Sequence, residues 1–264
     1  MKGGKYMILE ELRKIEKLHS ELKDLHPSLS KLYPVAITEP IENNLHIYDL
    51  APSGNYEYIT EEIADFPLPD KIRAAFPLEF YEYKKSCCVV SEDIFVEEDS
   101  FVTFFHEFVH CYQFETCEQK IRSSLYIIKE YDSPMWEINH PFPYEEDFFV
   151  NAFGQIENAV KINDPTKIVE VFQSLKSRLK QIDYEYLIWQ MWKEGFARFV
   201  ENCIREKYQL NKNTYGSQLP YNRISLYYLG DLLISHLNKR SKRVVEDIEE
   251  LYKVLYDCYF GEGG

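Results

Sequence analysis

The sequence predicts an α+β fold that is mainly α-helical, with a small β-sheet near the N-terminus. Apolar residues recur at helical spacing over the first 26 residues and again through most of the chain after Ser100. Short segments rich in β-branched and aromatic residues lie between these two regions. The composition is 45% hydrophobic and 28% charged over 264 residues, which is typical of a globular protein with a sizeable core.

The N-terminal third is expected to supply the sheet. A charged amphipathic helix is predicted from about Ile8 to His26, and a loop with three prolines follows it. The segment "NLHIYDL" predicts a short strand, and residues 60–76 predict a helix broken around Pro67 and Pro69. The best strand candidate is "EFYEYKKSCCVVSEDIF". Its part "SCCVVSEDIF" is expected at a sheet edge, where it could align an extended peptide.

The rest of the chain is expected to be helical. A long helix is predicted from about Ser100 to Lys129, before a proline-rich loop over 133–147. Further helices are predicted near residues 145–161, 165–181, 184–208, 224–239 and 244–259. Asp164 as N-cap and Pro165 in the first turn give a clear helix start. No linker interrupts the pattern, which favours one domain over 1–264, with two lobes, 1–98 and 99–264, as the alternative.

Charge and cysteine content narrow the functional classes. The formal net charge of −14 argues against binding to a nucleic-acid backbone or an anionic membrane. No apolar run is long enough to span a membrane, and the N-terminus does not resemble a secretion signal. The six cysteines form no C-x-x-C pair, so we expect reduced thiols, mostly in the core, in a cytoplasmic protein.

The segment "FFHEFVHCYQF", residues 104–114, places polar side chains on a helix that is otherwise apolar. On a helix, His106, His110 and Gln113 lie along one stripe. Thr103 before the segment and Cys117 after it extend the same stripe. Histidines at i and i+4 can direct both imidazoles at one ion about 2 Å away. Glu107 lies next to the stripe and could accept a proton from an attacking water. The pattern therefore predicts a metal site at His106 and His110 with Glu107 as general base.

The best candidate for a third metal ligand is Glu194, which precedes Gly195 in the segment "KEGFARFVE". On their own, the charges of this helix are typical of a solvated face held by pairs such as Glu194–Arg198. Glycine in mid-helix, however, costs about 1 kcal/mol relative to alanine, and it indicates close approach of another backbone. We expect that backbone to be the histidine helix. Acidic residues between the two segments remain rival ligands, namely Glu145, Glu146 and Glu157.

The two segments "HEFVH" and "EGFARFVE" together resemble the gluzincin zinc metallopeptidases, and the second is similar to a segment of the zinc aminopeptidases in that clan. The resemblance implies a zincin-like arrangement of catalytic helices and Zn²⁺ as cofactor. It implies that His106, His110 and Glu194 are the zinc ligands and that Glu107 is the base. The 84 positions from His110 to Glu194 (194 − 110) are more than in the aminopeptidases.

A second oxyanion donor is expected beside the metal. The segment "YYLG" resembles the Y-x-x-G motif that carries a catalytic tyrosine in the aminopeptidases, which makes Tyr227 the first candidate and Tyr228 the second. His236 and Arg223 are further candidates. No segment matches the one with which those aminopeptidases recognise a free amino terminus, so exopeptidase specificity is not implied.

The leading hypothesis is a zinc-dependent hydrolase, a peptidase that acts on a peptide or protein substrate. The alternative is a non-catalytic, degenerate peptidase fold that binds a peptide or a partner. Glu107 favours the enzyme, because a structural metal site has no need of an unligated carboxylate beside its ligands.

Overall fold

The computed structural model describes residues 2–96, 99–131 and 135–258. The fold is α+β and mainly helical with one sheet near the N-terminus, which confirms the predicted class. The chain divides into two compact units. The first unit comprises Met1–Thr116 and Cys203–Gln209, and the second comprises Cys117–Asn202 and Leu210–Gly264. The number of domains stays a prediction.

The first unit contains the sheet and two long helices. Its elements in chain order are α1 (Lys2–Leu22), β1 (Val35–Glu39), β2 (Asn44–Leu50), β3 (Tyr56–Ile63), β4 (Arg73–Leu78), β5 (Tyr81–Ser91) and α2 (Ser100–Gln113). The strand order is β3-β2-β1-β5-β4. Strands β1 and β5 run parallel, and the other neighbours are antiparallel. Helix α1 packs against β3, and α2 packs against β4 and β5.

Three sequence expectations for this unit are wrong. Strand β1 lies in the stretch expected to be a loop, although four of its five residues are buried in the middle of the sheet. Residues 60–76 contribute to β3 and β4 rather than to a broken helix. Their Glu and Ala content favours helices locally, but pairing with β2 and β5 overrides that preference.

The strand that was expected at a sheet edge lies inside the sheet, which is the third difference. Strand β5 is paired on both sides, by β1 and by β4, so it cannot align a peptide. The outer strands are β3 and β4, and β4 is the one that packs against α2. Because Ser91 donates its N–H to the Ile72 carbonyl, alternate residues from Ile72 onward bond to β5, and the backbone groups of Arg73, Ala75 and Pro77 point outward. Proline lacks an N–H and is tolerated at such an outward position.

A helical segment follows α2 with a change of winding. Residues Phe114–Glu118 form a π-helical turn, α3 (Gln119–Ser124) continues it, and Leu125 ends it with an extended backbone. The predicted helix over Ser100–Lys129 is therefore interrupted, and its last part is the separate α4 (Ile127–Glu130).

The second unit is helical. Its remaining elements are α5 (Trp136–Asn139), α6 (Asp147–Lys161), α7 (Pro165–Arg178), α8 (Gln181–Lys207), α9 (Arg223–Arg240), α10 (Lys242–Glu246) and α11 (Ile248–Asp257). The last residues of α8, from Cys203 onward, belong to the first unit. The predicted start of α7 is confirmed, since the Asp164 side chain accepts the Lys167 N–H at 2.9 Å. The predicted end of the last helix at Tyr259 lies outside the described residues.

Two further expectations concern the whole chain. All six cysteines are free, and five of them are buried, as predicted. Among the described residues, none of the helices has the length and apolar character needed to cross a membrane.

Helices α8 and α9 meet backbone to backbone at two glycines. A Cβ on Gly195 would lie 2.6 Å from the Gly230 Cα, and a Cβ on Gly230 would lie 2.4 Å from the Met191 carbonyl oxygen. The expected close approach at Gly195 is therefore present, but its partner is α9 and not the histidine helix. The contact also explains the glycine of the "YYLG" segment.

Replacing Gly195 by alanine should lower the free energy of unfolding by about 1–3 kcal/mol, because the new Cβ would overlap backbone that has little room to move. Gly154→Ala in α6 is the matched control, since nothing lies within 4 Å of the added Cβ. Alanine there should raise stability by about 0.5–1 kcal/mol. Denaturant unfolding measures the stability of both variants and of wild type. If Gly195→Ala were as stable as Gly154→Ala, the two helices would not touch at Gly195.

Candidate metal centre

Helix α2 holds its two histidines rigidly. The apolar side chains around them, including Phe104, Phe105 and Phe108, are fully buried. The rings of His106 and His110 lie one turn apart, with centroids 5.0 Å from each other. His106 is partly exposed and His110 is buried. The packing of α2 therefore fixes where both imidazoles point.

Gln113 orients the ring of His110. The amide oxygen of Gln113 lies 2.9 Å from Nδ1 of His110, and both side chains are buried. An amide oxygen only accepts, so Nδ1 carries the proton and the lone pair of Nε2 is left for a metal. Hydrogen bonds of this kind set the tautomer of metal-binding histidines. The sequence placed Gln113 on the polar stripe but did not reveal this role.

Glu194 on α8 completes a group of three. One ligand atom from each of His106, His110 and Glu194 lies within 4.8 Å of the others. The rival carboxylates are elsewhere: Glu145 and Glu146 are exposed, and Glu157 accepts a hydrogen bond from Tyr228. The predicted convergence of the three side chains is thus present despite their separation in sequence.

The donor set fits a divalent metal ion. Two imidazole nitrogens and one carboxylate oxygen can bind an ion and leave a further position open. Burial raises the pKa of Cys88 and Cys111 well above the usual range, and the charge of Glu107 adds to both shifts. A possible metal-binding group exists at His106, His110 and Glu194.

The charged face of α8 is not solvated, contrary to the expectation for that face taken alone. Arg198 and Glu201 are 5% and 6% exposed. Lys193, next to Glu194, donates to Glu118 at 2.9 Å and to Glu137 at 3.2 Å. Burial by itself would lower the pKa of Lys193, but the charges of Glu137 and Glu118 raise it above its usual value. This network holds the α8 turn that carries Glu194.

Of the two candidate tyrosines, Tyr227 lies near Glu194. Burial raises the pKa of Tyr227, and the Glu194 charge raises it further. Tyr228 points elsewhere and donates its hydroxyl to Glu157 at 2.8 Å. His236 follows Tyr227 by nine positions (236 − 227), which places it about 180° round α9 on the opposite face.

No protein-family model, no curated protein and no solved structure matches this chain. The resemblance to gluzincins therefore stays a prediction, and the candidate site depends on the residues described above.

Replacing Gln113 by methionine should weaken metal binding by about 10–100-fold, because the side-chain length is kept while the acceptor for His110 is lost. Competition with a chelator of known affinity measures the change. The exposed Gln155 on α6 provides the control Gln155→Met, which should bind metal as wild type does. Equal affinities of all three proteins would show that Gln113 does not orient a ligand.

Proposed function

We propose that this chain is a zinc-dependent hydrolase that cleaves amide bonds in peptides. The supporting observation is the convergence of His106, His110 and Glu194, with the carboxylate of Glu107 on the same helical turn as the first histidine. The histidines and Glu194 would hold the ion. Two nitrogens and one oxygen with an open position suit zinc among the common divalent metals. Zinc supplies polarisation of the scissile carbonyl and lowers the pKa of water toward about 7.

Glu107 is assigned the proton transfers. It directly follows His106 in α2 and is 5% exposed, so bulk water does not surround its carboxylate. The carboxylate would take a proton from the attacking water and later give it to the leaving amine.

Tyr227 is assigned as the donor to the carbonyl oxygen. Its side chain is 7% exposed, and it lies close enough to Glu194 for the charge to act on its hydroxyl. Because its pKa is raised, the phenol keeps its proton and can donate a hydrogen bond where negative charge develops.

A peptide is the preferred substrate because the sheet offers an edge. Strand β4 packs against α2 and turns the backbone groups of Arg73, Ala75 and Pro77 away from β5. An extended peptide could add to this edge through main-chain hydrogen bonds. A small amide is too short to form this series of main-chain hydrogen bonds with the β4 edge.

Replacing Glu107 by glutamine should leave metal content unchanged and lower turnover by about 10²–10⁴-fold, because the amide cannot accept the proton. Metal analysis and hydrolysis of a peptide mixture are measured on the same preparation. Glu115→Gln, at an exposed glutamate of the following π turn, is the control and should keep full turnover. Undiminished turnover in Glu107→Gln would eliminate the proposed mechanism.

The two adjacent tyrosines provide a matched pair. Tyr227→Phe should lower kcat by about 10²–10³-fold through loss of one donor. Tyr228→Phe loses only the bond to Glu157 and should keep kcat within a few-fold of wild type. Steady-state kinetics of both variants makes the comparison. If Tyr228→Phe were the more impaired, the assignment of the donor would be wrong.

A further inference from the structure

Two arginines contact the ring of Tyr227. The guanidinium carbon of Arg198 lies 5.5 Å from the ring centroid, and that of Arg223 lies 5.7 Å from it. Arg198 is 5% exposed and donates to the Tyr215 carbonyl oxygen at 2.6 Å, while its buried Nε has no partner among the described residues. Arg223 is partly exposed at the start of α9. Two positive charges therefore flank the proposed catalytic tyrosine.

Neither guanidinium forms an ion pair within the described part of the chain. The arginines that form ion pairs there are Arg73, Arg122 and Arg205. A buried charge without a partner is costly, and burial lowers the pKa of Arg198. Such an arrangement is typical of a site that receives its anion from a ligand.

The acids that act on Arg198 from a distance have other roles. Glu201 accepts a hydrogen bond from Asn213 at 3.0 Å, and Asp231 accepts one from Asn202 at 2.9 Å. Burial raises the pKa of Asp231 to about 6, and the hydrogen bonds from Asn202 and Ser235 oppose that shift. Glu194 belongs to the metal-binding group.

Two tyrosine hydroxyls lie beside Arg223. Tyr144 donates its hydroxyl to Tyr186 at 3.3 Å, and Tyr186 donates its own to the Glu137 carbonyl oxygen at 3.2 Å. Burial raises the pKa of both tyrosines, and the charge of Arg223 opposes both shifts, which places the guanidinium near them. Both phenolic protons are thus engaged, and the guanidinium is the group that matches a planar, singly charged carboxylate, because arginine forms paired bonds to it.

We propose that Arg223, assisted by the charge of Arg198, binds a carboxylate of the substrate and thereby selects peptides that carry one beside the cleaved bond. This inference rests on the proposed hydrolase function. The carboxylate belongs either to the free C-terminus or to an acidic side chain. Both sources share the same chemistry, and the substrate series below separates them.

Three peptides test the proposal. They share one sequence and differ as follows: one ends in a free acid, one in an amide, and one in an amide with a Glu in place of a Gln beside the cleaved bond. Arg223→Gln removes the charge at a partly exposed position, where folding should be unaffected. Arg240→Gln, at the exposed far end of the same helix, is the control for loss of one positive charge. Both kcat/KM and calorimetric binding to the zinc-loaded protein are measured.

Wild type and Arg240→Gln should favour one carboxylate peptide over the plain amide by about 10–100-fold, and Arg223→Gln should abolish that preference. Preference for the free acid identifies the C-terminus, and preference for the Glu peptide identifies a side chain. The proposal is overturned if wild type shows the same kcat/KM and affinity for all three peptides. It is also overturned if Arg223→Gln lowers these values equally for all three. Carboxylate-selective binding without hydrolysis would refute the hydrolase while leaving the carboxylate site supported.

Discussion

The contact between Gly195 and Gly230 is the constraint on which the second half of the candidate site depends. Only helices without a side chain at this point can approach so closely, since either Cβ would overlap backbone. Glu194 precedes the first glycine by one residue, and Tyr227 precedes the second by three. The contact therefore sets the distance between the third metal ligand and the proposed donor, and it brings Arg198 and Arg223 to the same ring.

Two buried cations on α8 show how the surroundings separate a structural charge from one available to a ligand. Lys193 is held by two carboxylates at hydrogen-bonding distance, so its charge is balanced within the fold. Arg198, five positions later, has a carbonyl oxygen as its near partner. Since both side chains are largely buried, the difference lies in the counter-charge and not in exposure. Because the charge of Lys193 is balanced by carboxylates and that of Arg198 is not paired in this way, the carboxylate site is proposed at the arginines and not at Lys193.

Features that depend on local spacing could be predicted from the sequence, whereas several features that depend on pairing could not. The i, i+4 spacing of His106 and His110 fixes their shared face on any helix. Strand β1, by contrast, is defined by its neighbours β2 and β5, and the prolines around it suggested a loop. Gly195 predicted a close backbone approach, but the partner is α9 and not the expected histidine helix. The role of Gln113 needed the side-chain geometry of His110.

The most direct test of a metal site at His106, His110 and Glu194 is the zinc content of protein purified without chelators after zinc-supplemented expression. Wild type should carry one zinc per chain. Glu194→Ala should lose most of it, whereas Glu157→Ala, at the rival carboxylate bonded to Tyr228, should keep it. Absence of zinc from wild type, or full zinc in Glu194→Ala, would contradict the assignment of this site.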